Sequence, residues 1–311
     1  MKEKSKKIFE TISCNICGGN DYSIVYPAMS GREKDLDLVK KFRASGDELL
    51  VDQVVKCKRC GLQFINPRLK PEIIIQSYSE GSDEIFISQA KAREATFFNS
   101  LKKIEKFAPN KGRVLDIGTA GGSFLAAAKR RGWEVYGCEP NKWMAGWGKK
   151  NYGINIQKGT VFQQKYKKNF FDMVTLWDVI EHTPDPSKVL KECSRLLKNS
   201  GILVVNYPDI GSWLARLLKR KWLFLTSVHL YYFTPRTMNL LLQKNGFRIL
   251  KIKPHFQDLE IGYLFFRAGS FSKIVSKLGQ AIVKFFNLEH KQVPYWLGQT
   301  FVIARKVKEA E

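Results

Sequence analysis

The sequence lacks any apolar run of the roughly 20 residues that a membrane-spanning helix needs, which excludes an integral membrane protein of that kind. Its basic N-terminus has neither the apolar core nor the small-residue cleavage site of a secretory signal, so we expect a cytoplasmic protein. Cysteine is scarce, with 6 residues in 311, which excludes a disulfide scaffold. Acidic residues are also few, because 29 Asp and Glu stand against 52 Lys and Arg.

The chain is rich in apolar residues and in positive charge. Hydrophobic residues make up 44% of the sequence, enough for a large core and too many for intrinsic disorder. A length of 311 residues predicts about two domains. The formal net charge of +23 favours an anionic partner, which is nucleic acid, an anionic membrane surface or a phosphorylated substrate. The alternative is a lysine-rich surface that is simply solvated.

Four of the six cysteines form two C-x-x-C pairs, Cys14 with Cys17 and Cys57 with Cys60. Two such pairs supply the four thiolates of a tetrahedral zinc site, and a site filled by four cysteines is structural rather than catalytic. The alternatives are two disulfides or two unrelated pairs. We therefore predict a zinc-ribbon module with a linker over residues 1–75, followed by a second domain over 76–311. A charged helix is expected before residue 51, and residues 66–71 are predicted to form a linker.

From residue 110 onward, strand and helix patterns alternate, which predicts an α/β fold with a doubly wound parallel sheet. Cys138 and Cys193 lie in predicted buried elements and are expected to pack rather than react. In such sheets ligands bind beyond the carboxyl ends of the strands. The expected strands cover 114–117, 133–138, 171–176 and 201–206, with a closing edge strand at 300–304; the expected helices cover 84–107, 124–131 and 186–197, and another begins at 235.

A small-residue loop follows the first of these strands, in the segment VLDIGTAGGSFL at 114–125. Small residues at 118, 120 and 122 let the backbone approach a ligand closely at a helix N-terminus. The loop does not fit the G-x-G-x-x-G fingerprint of nicotinamide dinucleotide enzymes. Glu139 ends the next strand and is placed to accept hydrogen bonds from two ribose hydroxyls. Together these features predict a nucleoside ligand; the alternative is a plain tight turn.

These segments resemble class I S-adenosylmethionine-dependent methyltransferases. VLDIGTAGGSFL resembles their first motif, FDMVTLWDVIEH at 171–182 their fourth-strand motif, and LLKNSGIL at 196–203 the turn before their fifth strand. The resemblance implies a seven-stranded Rossmann-like sheet and S-adenosylmethionine as cofactor. In that family the loop cradles the methionine end and the acid after the second strand holds the ribose. The cofactor-binding residues it implies are Asp116, Gly118, Thr119, Ala120, Gly122, Glu139, Trp177 and Asp178.

Two histidines are candidates for the general base. His182 lies in the loop after the fourth strand, where the methyl group should sit, and its pKa class suits neutral pH. The alternative is a capping or cofactor-packing histidine. His229 lies in a stretch that resembles a substrate-covering insertion and is the second candidate. Asp178, Glu181 and His182 could instead share a divalent cation, as similar residues do in ubiquinone-type O-methyltransferases.

A zinc ribbon in front of such a domain resembles deoxysugar C- and O-methyltransferases of antibiotic and surface-polysaccharide pathways. That resemblance implies a sugar acceptor carried on a nucleotide or lipid phosphate, in surface-polysaccharide or glycolipid biosynthesis. The alternatives are a ubiquinone-type or lipid O-methyltransferase and an RNA methyltransferase. Nucleic acid is the least favoured partner, because the sequence has no RNA-binding motif.

The C-terminal third, residues 210–311, holds 17 basic and 5 acidic residues, or +12 of the +23. Apolar residues recur there at helical spacing, with lysines elsewhere on the helical wheel. Basic amphipathic helices of this kind can lie on anionic membranes, which predicts a peripheral contact with the inner face of the cell membrane. The alternative is a helix that packs on the core with a solvated lysine face. The apolar positions are Phe271, Ile274, Val275, Leu278, Ile282, Phe285 and Phe286, and the lysines are Lys273, Lys277 and Lys284.

Overall fold

The computed structural model describes residues 8–29, 50–270 and 272–307. Its strands are β1 (Phe9–Glu10), β2 (Tyr22–Tyr26), β3 (Val54–Cys57), β4 (Gln63–Ile65), β5 (Arg68–Leu69), β6 (Arg113–Ile117), β7 (Glu134–Glu139), β8 (Gln157–Lys158), β9 (Phe171–Trp177), β10 (Leu197–Pro208), β11 (Tyr231–Tyr232), β12 (Phe247–Pro254), β13 (Gln257–Glu260), β14 (Gln292–Tyr295) and β15 (Gln299–Lys306). Its α-helices are α1 (Pro71–Glu80), α2 (Glu84–Ser88), α3 (Ala90–Ile104), α4 (Ser123–Arg130), α5 (Lys142–Tyr152), α6 (Pro186–Leu196), α7 (Trp213–Leu218), α8 (Pro235–Lys244), α9 (Ile261–Arg267) and α10 (Lys273–Phe285). Short 3-10 turns cover Val161–Gln163, Ile180–His182, Lys219–Lys221 and Ala268–Ser270.

The main sheet has seven strands in the order β12-β15-β10-β9-β6-β7-β8, which confirms the predicted Rossmann-like methyltransferase fold. Strands β10, β9, β6, β7 and β8 run parallel, while β15 is antiparallel to both of its neighbours. The prediction that 300–304 forms an edge strand is wrong, because β15 lies between β10 and β12. Residues 299–304 of β15 are all buried. Strand β12 instead exposes Arg248 and Lys253, and charged side chains of this kind are common on the edge strand of a sheet.

Successive residues of each central strand serve two different cores, one on each face of the sheet. Val114 and Met173 pack with the apolar faces of α3 and α4, among them Leu101 and Phe124. Their neighbours Leu115 and Val174 point the other way, onto α6 and α8. Cys138 and Cys193 are fully buried in this second core, as expected for packing residues.

The N-terminal cysteines lie beside a four-stranded sheet of order β11-β4-β3-β2. Its fourth strand, β11, comes from the segment after β10 rather than from the N-terminal 75 residues. The predicted charged helix before residue 51 lies outside the described residues. The proposed domain boundary at residue 75 stays a prediction.

The segment 66–71, expected to be a linker, is instead packed. Its residues 68 and 69 form β5, which pairs with β1. Arg68 is 5% exposed, and its guanidinium donates to Glu10 Oε1 at 2.9 Å and to the Pro184 carbonyl at 2.7 Å. The same guanidinium donates to the Tyr231 hydroxyl at 3.1 Å. This side chain therefore ties the N-terminal segment to both β1 and the loop before α6.

Residues 255–298 join β12 to β15 and carry the β13–β14 hairpin with α9 and α10 between its strands. Because β12 ends and β15 begins at the carboxyl edge of the parallel strands, this whole insertion lies at that edge. Within the described part of α10 only Ser276, Gly279 and Val283 are buried, so the core-packing interpretation of its apolar residues is wrong. Phe271 lies outside the described residues. Among the described helices, none combines the length and the hydropathy that a membrane span requires.

Candidate active site

Three of the five residues between β6 and α4 have a positive φ. Gly118 has φ +68, Ala120 φ +48 and Gly122, which caps α4, φ +83. A Cβ added to Gly118 would lie 2.7 Å from Val179 Cγ2, so the loop after β9 packs directly on this glycine. Gly118 N donates to the Cys138 carbonyl at 2.9 Å, which ties the loop to β7. The sequence thus brings a tight loop, the N-terminus of α4 and the ends of β6, β7 and β9 to one place.

Glu139 lies against this loop and is fully buried. Its Oε2 accepts from Ala120 N and its Oε1 from Asn141 N, both at 2.7 Å, and the Tyr78 hydroxyl hydrogen-bonds to the same carboxylate. Burial raises the pKa of Glu139 from 4.5 to about 7, against the lowering effect of these donors. The carboxylate is thereby held in one orientation at the end of β7.

Asp116 is the second buried acid of the loop, with 2% exposure. Its Oδ1 accepts from Thr175 Oγ1 at 2.6 Å, across the β6–β9 pair. Burial raises the pKa of Asp116 to about 7. The side-chain hydroxyls of Thr119 and Thr175 act against this rise in the pKa of Asp116 by hydrogen bonding to its carboxylate.

Trp177 is the last residue of β9, and Asp178 follows it. The Trp177 ring is 8% exposed and stacks on Phe301 at 5.8 Å between centroids, while its Nε1 lacks a partner among the described residues. Asp178 has φ +52, and its Oδ1 accepts from Asn206 Nδ2 at 2.6 Å. Its Oδ2 accepts from Gln257 Nε2 at 3.4 Å. Burial raises the pKa of Asp178.

His182 and His229 lie side by side, with ring centroids 4.6 Å apart. His182 Nδ1 lies 3.0 Å from the Val228 carbonyl and His229 Nδ1 lies 2.7 Å from the Phe224 carbonyl. A carbonyl only accepts, so each Nδ1 carries the proton and each Nε2 keeps a lone pair. Burial lowers the pKa of His182 to about 4. Burial also lowers the pKa of His229, and the charge that His182 carries when protonated lowers it further. Both imidazoles are therefore neutral near pH 7. The expectation that the pKa of His182 suits neutral pH is wrong, because burial disfavours the charged imidazolium and moves the pKa to about 4.

Glu181 completes this group. It is 1% exposed, and within the described ranges neither carboxylate oxygen has a hydrogen-bond partner. Burial raises the pKa of Glu181, with a further contribution from the charge of Asp178. One ligand atom each from Glu181, His182 and His229 lie within 4.8 Å of one another. The structure therefore groups Glu181 and His182 with His229, rather than with Asp178 as the predicted cation site required.

Several residues around the site were not singled out from the sequence. Asn141 caps α5, and its Nδ2 donates to the Tyr78 and Gly81 carbonyls at 2.8 and 2.7 Å. It thereby clamps α1 over Glu139. An asparagine directly before a helix is a recognisable cap, so Asn141 had a local signal. Tyr78 and Thr175 had none, because their partners lie far away in the chain.

The four paired cysteines converge, with Sγ atoms all within 4.8 Å of one another. Cys14 and Cys60 Sγ are 3.3 Å apart and Cys17 and Cys57 Sγ 3.5 Å apart, too far for the ~2.05 Å of a disulfide bond. Burial raises the pKa of Cys14 and of Cys60. Burial also acts to raise the pKa of Cys57, but hydrogen bonds, first among them the one from the backbone N–H of Cys60, outweigh it and lower this pKa to about 7. Four converging sulfurs fit a tetrahedral Zn²⁺ ion.

Comparison with known proteins matches the part of the chain that contains this loop. A family model described as a methyltransferase domain matches residues 89–252. A ubiquinone biosynthesis O-methyltransferase of Coxiella burnetii is 26% identical over 183 residues, which cover 51% of this chain and 74% of that protein. One from Pseudomonas fluorescens is 30% identical over 95 residues, covering 29% of this chain and 41% of that protein. A SAM dependent methyltransferase from Archaeoglobus fulgidus has the same fold, with a TM-score of 0.50 and 21% identity, covering 72% of this chain and 100% of that one.

Proposed function

This chain belongs to the methyltransferase-domain family and is an S-adenosylmethionine-dependent methyltransferase, and from that premise we propose that it methylates a hydroxyl of a small molecule. The acceptor that we propose is a sugar carried on a nucleotide or lipid phosphate, as in surface-polysaccharide or glycolipid biosynthesis. The observation that carries the choice of a hydroxyl is the pair of neutral histidines formed by His182, after β9, and His229, before β11, since oxygen methylation needs a base.

The residues of the loop fit the cofactor. S-adenosylmethionine supplies an electrophilic methyl group on its sulfonium. We propose that Glu139, at the end of β7, accepts hydrogen bonds from the two ribose hydroxyls, and that the loop backbone at Gly118 and Gly122 contacts the methionine end. Asp116, Thr119, Ala120, Trp177 and Asp178 line the same strand ends. We propose that all eight of these residues bind the cofactor.

His182 is the base that we propose. It is partly exposed, and it lies three residues after Val179, whose side chain contacts Gly118. Its Nε2 lone pair removes the proton of the acceptor hydroxyl as the oxygen attacks the methyl carbon. His229 is more deeply buried, at 7% exposure, and its Nε2 lies in the same group. The unpartnered Glu181 carboxyl is available to accept a hydrogen bond from the imidazolium that forms.

The test compares His182→Gln with His290→Gln, an exposed histidine at the same edge of the sheet. Loss of a general base should lower kcat by about 10²- to 10⁴-fold without changing the affinity for S-adenosylhomocysteine. His290→Gln should keep full activity. Transfer of labelled methyl groups to nucleotide-linked and prenyl-phosphate-linked sugars measures kcat. An unchanged kcat in His182→Gln would overturn the assignment of the base. Failure of the wild type to bind S-adenosylhomocysteine would overturn the proposed cofactor site.

A second candidate acceptor is a ring hydroxyl of a ubiquinone precursor. It is favoured by the C. burnetii and P. fluorescens relatives, whose names place them in ubiquinone biosynthesis. A prenylated catechol in the same assay distinguishes the two. Transfer to the catechol alone would support the second candidate and exclude the sugar.

We further propose that Cys14, Cys17, Cys57 and Cys60 hold a structural Zn²⁺. The four sulfurs fill all four positions of a tetrahedral ion and leave none open for substrate. The ion would secure the turns on either side of β2 and β3, which lie next to the core that includes Leu62 and Phe64.

A further inference from the structure

Helix α10 divides its surface into three stripes. At about 100° per residue, Ser276, Gly279 and Val283 form one stripe, and these are the residues that the structure buries. Gly279 allows the close approach, because a Cβ there would lie 2.0 Å from Phe265 Cδ1 of α9. Ser276, Gly279 and Val283 therefore hold α10 to the protein, and the other apolar residues of the helix do not.

The large apolar residues form a second stripe that faces away from α9. Ile274 is 71% exposed and Phe285 is 80% exposed. Val275, Leu278, Ile282 and Phe286 are each at least 51% exposed. Six large apolar side chains on one helix face exceed the scattered exposure usual in a monomer, and such a patch marks an interaction site. No described residue covers this face.

Positive charge accompanies the apolar face. Lys273, Lys277 and Lys284 form the third stripe, along one edge of it, and all three are exposed. Between residues 261 and 288 the sequence has four basic residues and no acidic one. A protein partner would ordinarily be met by charges of both signs, whereas apolar residues with lysines alone match the acyl chains and anionic headgroups of a lipid surface.

A second apolar patch lies at the same edge of the sheet. Trp213 and Leu217 of α7 are 65% and 69% exposed, and Phe256 is 61% exposed. The Trp296 ring lies 6.2 Å from the Trp213 ring and 6.4 Å from the Phe256 ring, so these aromatics join the segment after β10 to the segment between β12 and β15. Exposed tryptophan is favoured at a membrane–water interface.

We propose that α10 docks on an anionic lipid bilayer, with its apolar face below the headgroups and its lysines among them. The insertion that carries α10 lies at the carboxyl edge of the sheet, so docking brings this edge, where the loop after β6 also lies, towards the bilayer. A lipid-borne acceptor would then reach the site from the membrane. That last step rests on the proposed function; the docking does not.

The test is co-sedimentation of the full-length protein with vesicles of phosphatidylglycerol and phosphatidylcholine, against vesicles of phosphatidylcholine alone. The wild type should bind the anionic vesicles, and binding should weaken as salt is added. Leu278→Glu combined with Ile282→Glu should reduce binding by more than tenfold. Ile24→Glu is the matched control, because Ile24 is equally apolar and 59% exposed on β2, and it should bind like the wild type.

The lysines are tested separately with Lys273→Gln, Lys277→Gln and Lys284→Gln together. This triple variant should bind anionic vesicles roughly 100-fold more weakly, since each lysine near the surface contributes about a factor of five. All substituted side chains are exposed, so thermal unfolding should match the wild type and verify the fold.

Two results would overturn the proposal. The first is wild-type protein that stays in the supernatant with anionic vesicles. The second is a dimer, measured by light scattering, that Leu278→Glu and Ile282→Glu dissociate, because the apolar face would then bind a second copy of this chain. Activity on a water-soluble acceptor is measured in parallel and should be the same in all variants, so failure of docking is distinguished from failure of the proposed chemistry.

Discussion

Replacing Gly118 by alanine tests the packing of the cofactor loop most directly. Gly118 has φ +68, a conformation that costs an L-residue about 1–2 kcal/mol. The added Cβ would also lie 2.7 Å from Val179 Cγ2, and the β-branched valine has little rotamer freedom with which to move away. Overpacking of this kind costs about 1–3 kcal/mol. We therefore expect Gly118→Ala to lower the free energy of unfolding by about 2–5 kcal/mol.

Gly153→Ala is the matched control for this substitution. Gly153 ends α5 with φ +63, and its added Cβ would meet no described atom within 4 Å. This variant carries the backbone strain without the collision, so it should lose only about 1–2 kcal/mol. The difference between the two variants, about 1–3 kcal/mol, isolates the contact with Val179.

Urea unfolding and calorimetry with S-adenosylhomocysteine measure the two effects. Gly118→Ala should also bind the cofactor product at least tenfold more weakly, because Val179 adjoins the loop residue Asp178, while Gly153→Ala should bind it normally. Equal destabilisation of the two variants would refute the steric reasoning. Unchanged affinity in Gly118→Ala would refute the assignment of the loop to the cofactor.

Three further outcomes are expected. The pKa of Glu139 is raised from 4.5 to about 7, so the folded protein keeps a proton that the unfolded chain loses, and this contribution to stability is complete below pH 4.5 and is lost as the pH rises through about 7. In urea titrations the wild type should therefore lose about 3 kcal/mol more free energy of unfolding than Glu139→Gln between pH 4.5 and 7, and parallel pH curves for the two proteins would contradict this. Metal analysis should find about one zinc per chain, Cys17→Ser should reduce it, and a full zinc content in that variant would exclude the four-cysteine site. Phe124→Ala should cost about 3–5 kcal/mol, because the ring packs between Phe97 and Trp177 at 5.6 and 5.5 Å; a loss below 1 kcal/mol would mean that the aromatic cluster repacks.

Much of the fold follows from local patterns in the sequence. The apolar run at 114–117, the small-residue loop and the acid at 139 lie within 26 residues, and together they specify a strand, a tight turn and the next strand. These elements can be predicted because the pattern of apolar residues and the positions of the glycines determine secondary structure locally. The seven-stranded sheet was expected on the same grounds together with the family resemblance.

Features that depend on distant parts of the chain were missed. Strand β15 lies inside the sheet because β12, which begins 52 residues earlier, forms the edge, and a short apolar run does not reveal its neighbours. The meeting of His182 with His229 depends on the path of 46 intervening residues. The exposed face of α10 was ambiguous in the sequence, since the same apolar stripe suits a core or a lipid surface; packing through Gly279 and Phe265 turned it outward.

Strand β11 has a consequence for folding during synthesis. Residues 231 and 232 complete the sheet begun by β2, β3 and β4, although about 165 residues separate them from β4. At roughly 5–20 residues per second, the edge of β4 waits about 10–30 s for its partner. An unpaired strand edge invites pairing with other chains, and nascent chains lacking Tyr231 would be the most prone to it. The N-terminal segment therefore reaches its final form only after most of the methyltransferase domain has been made.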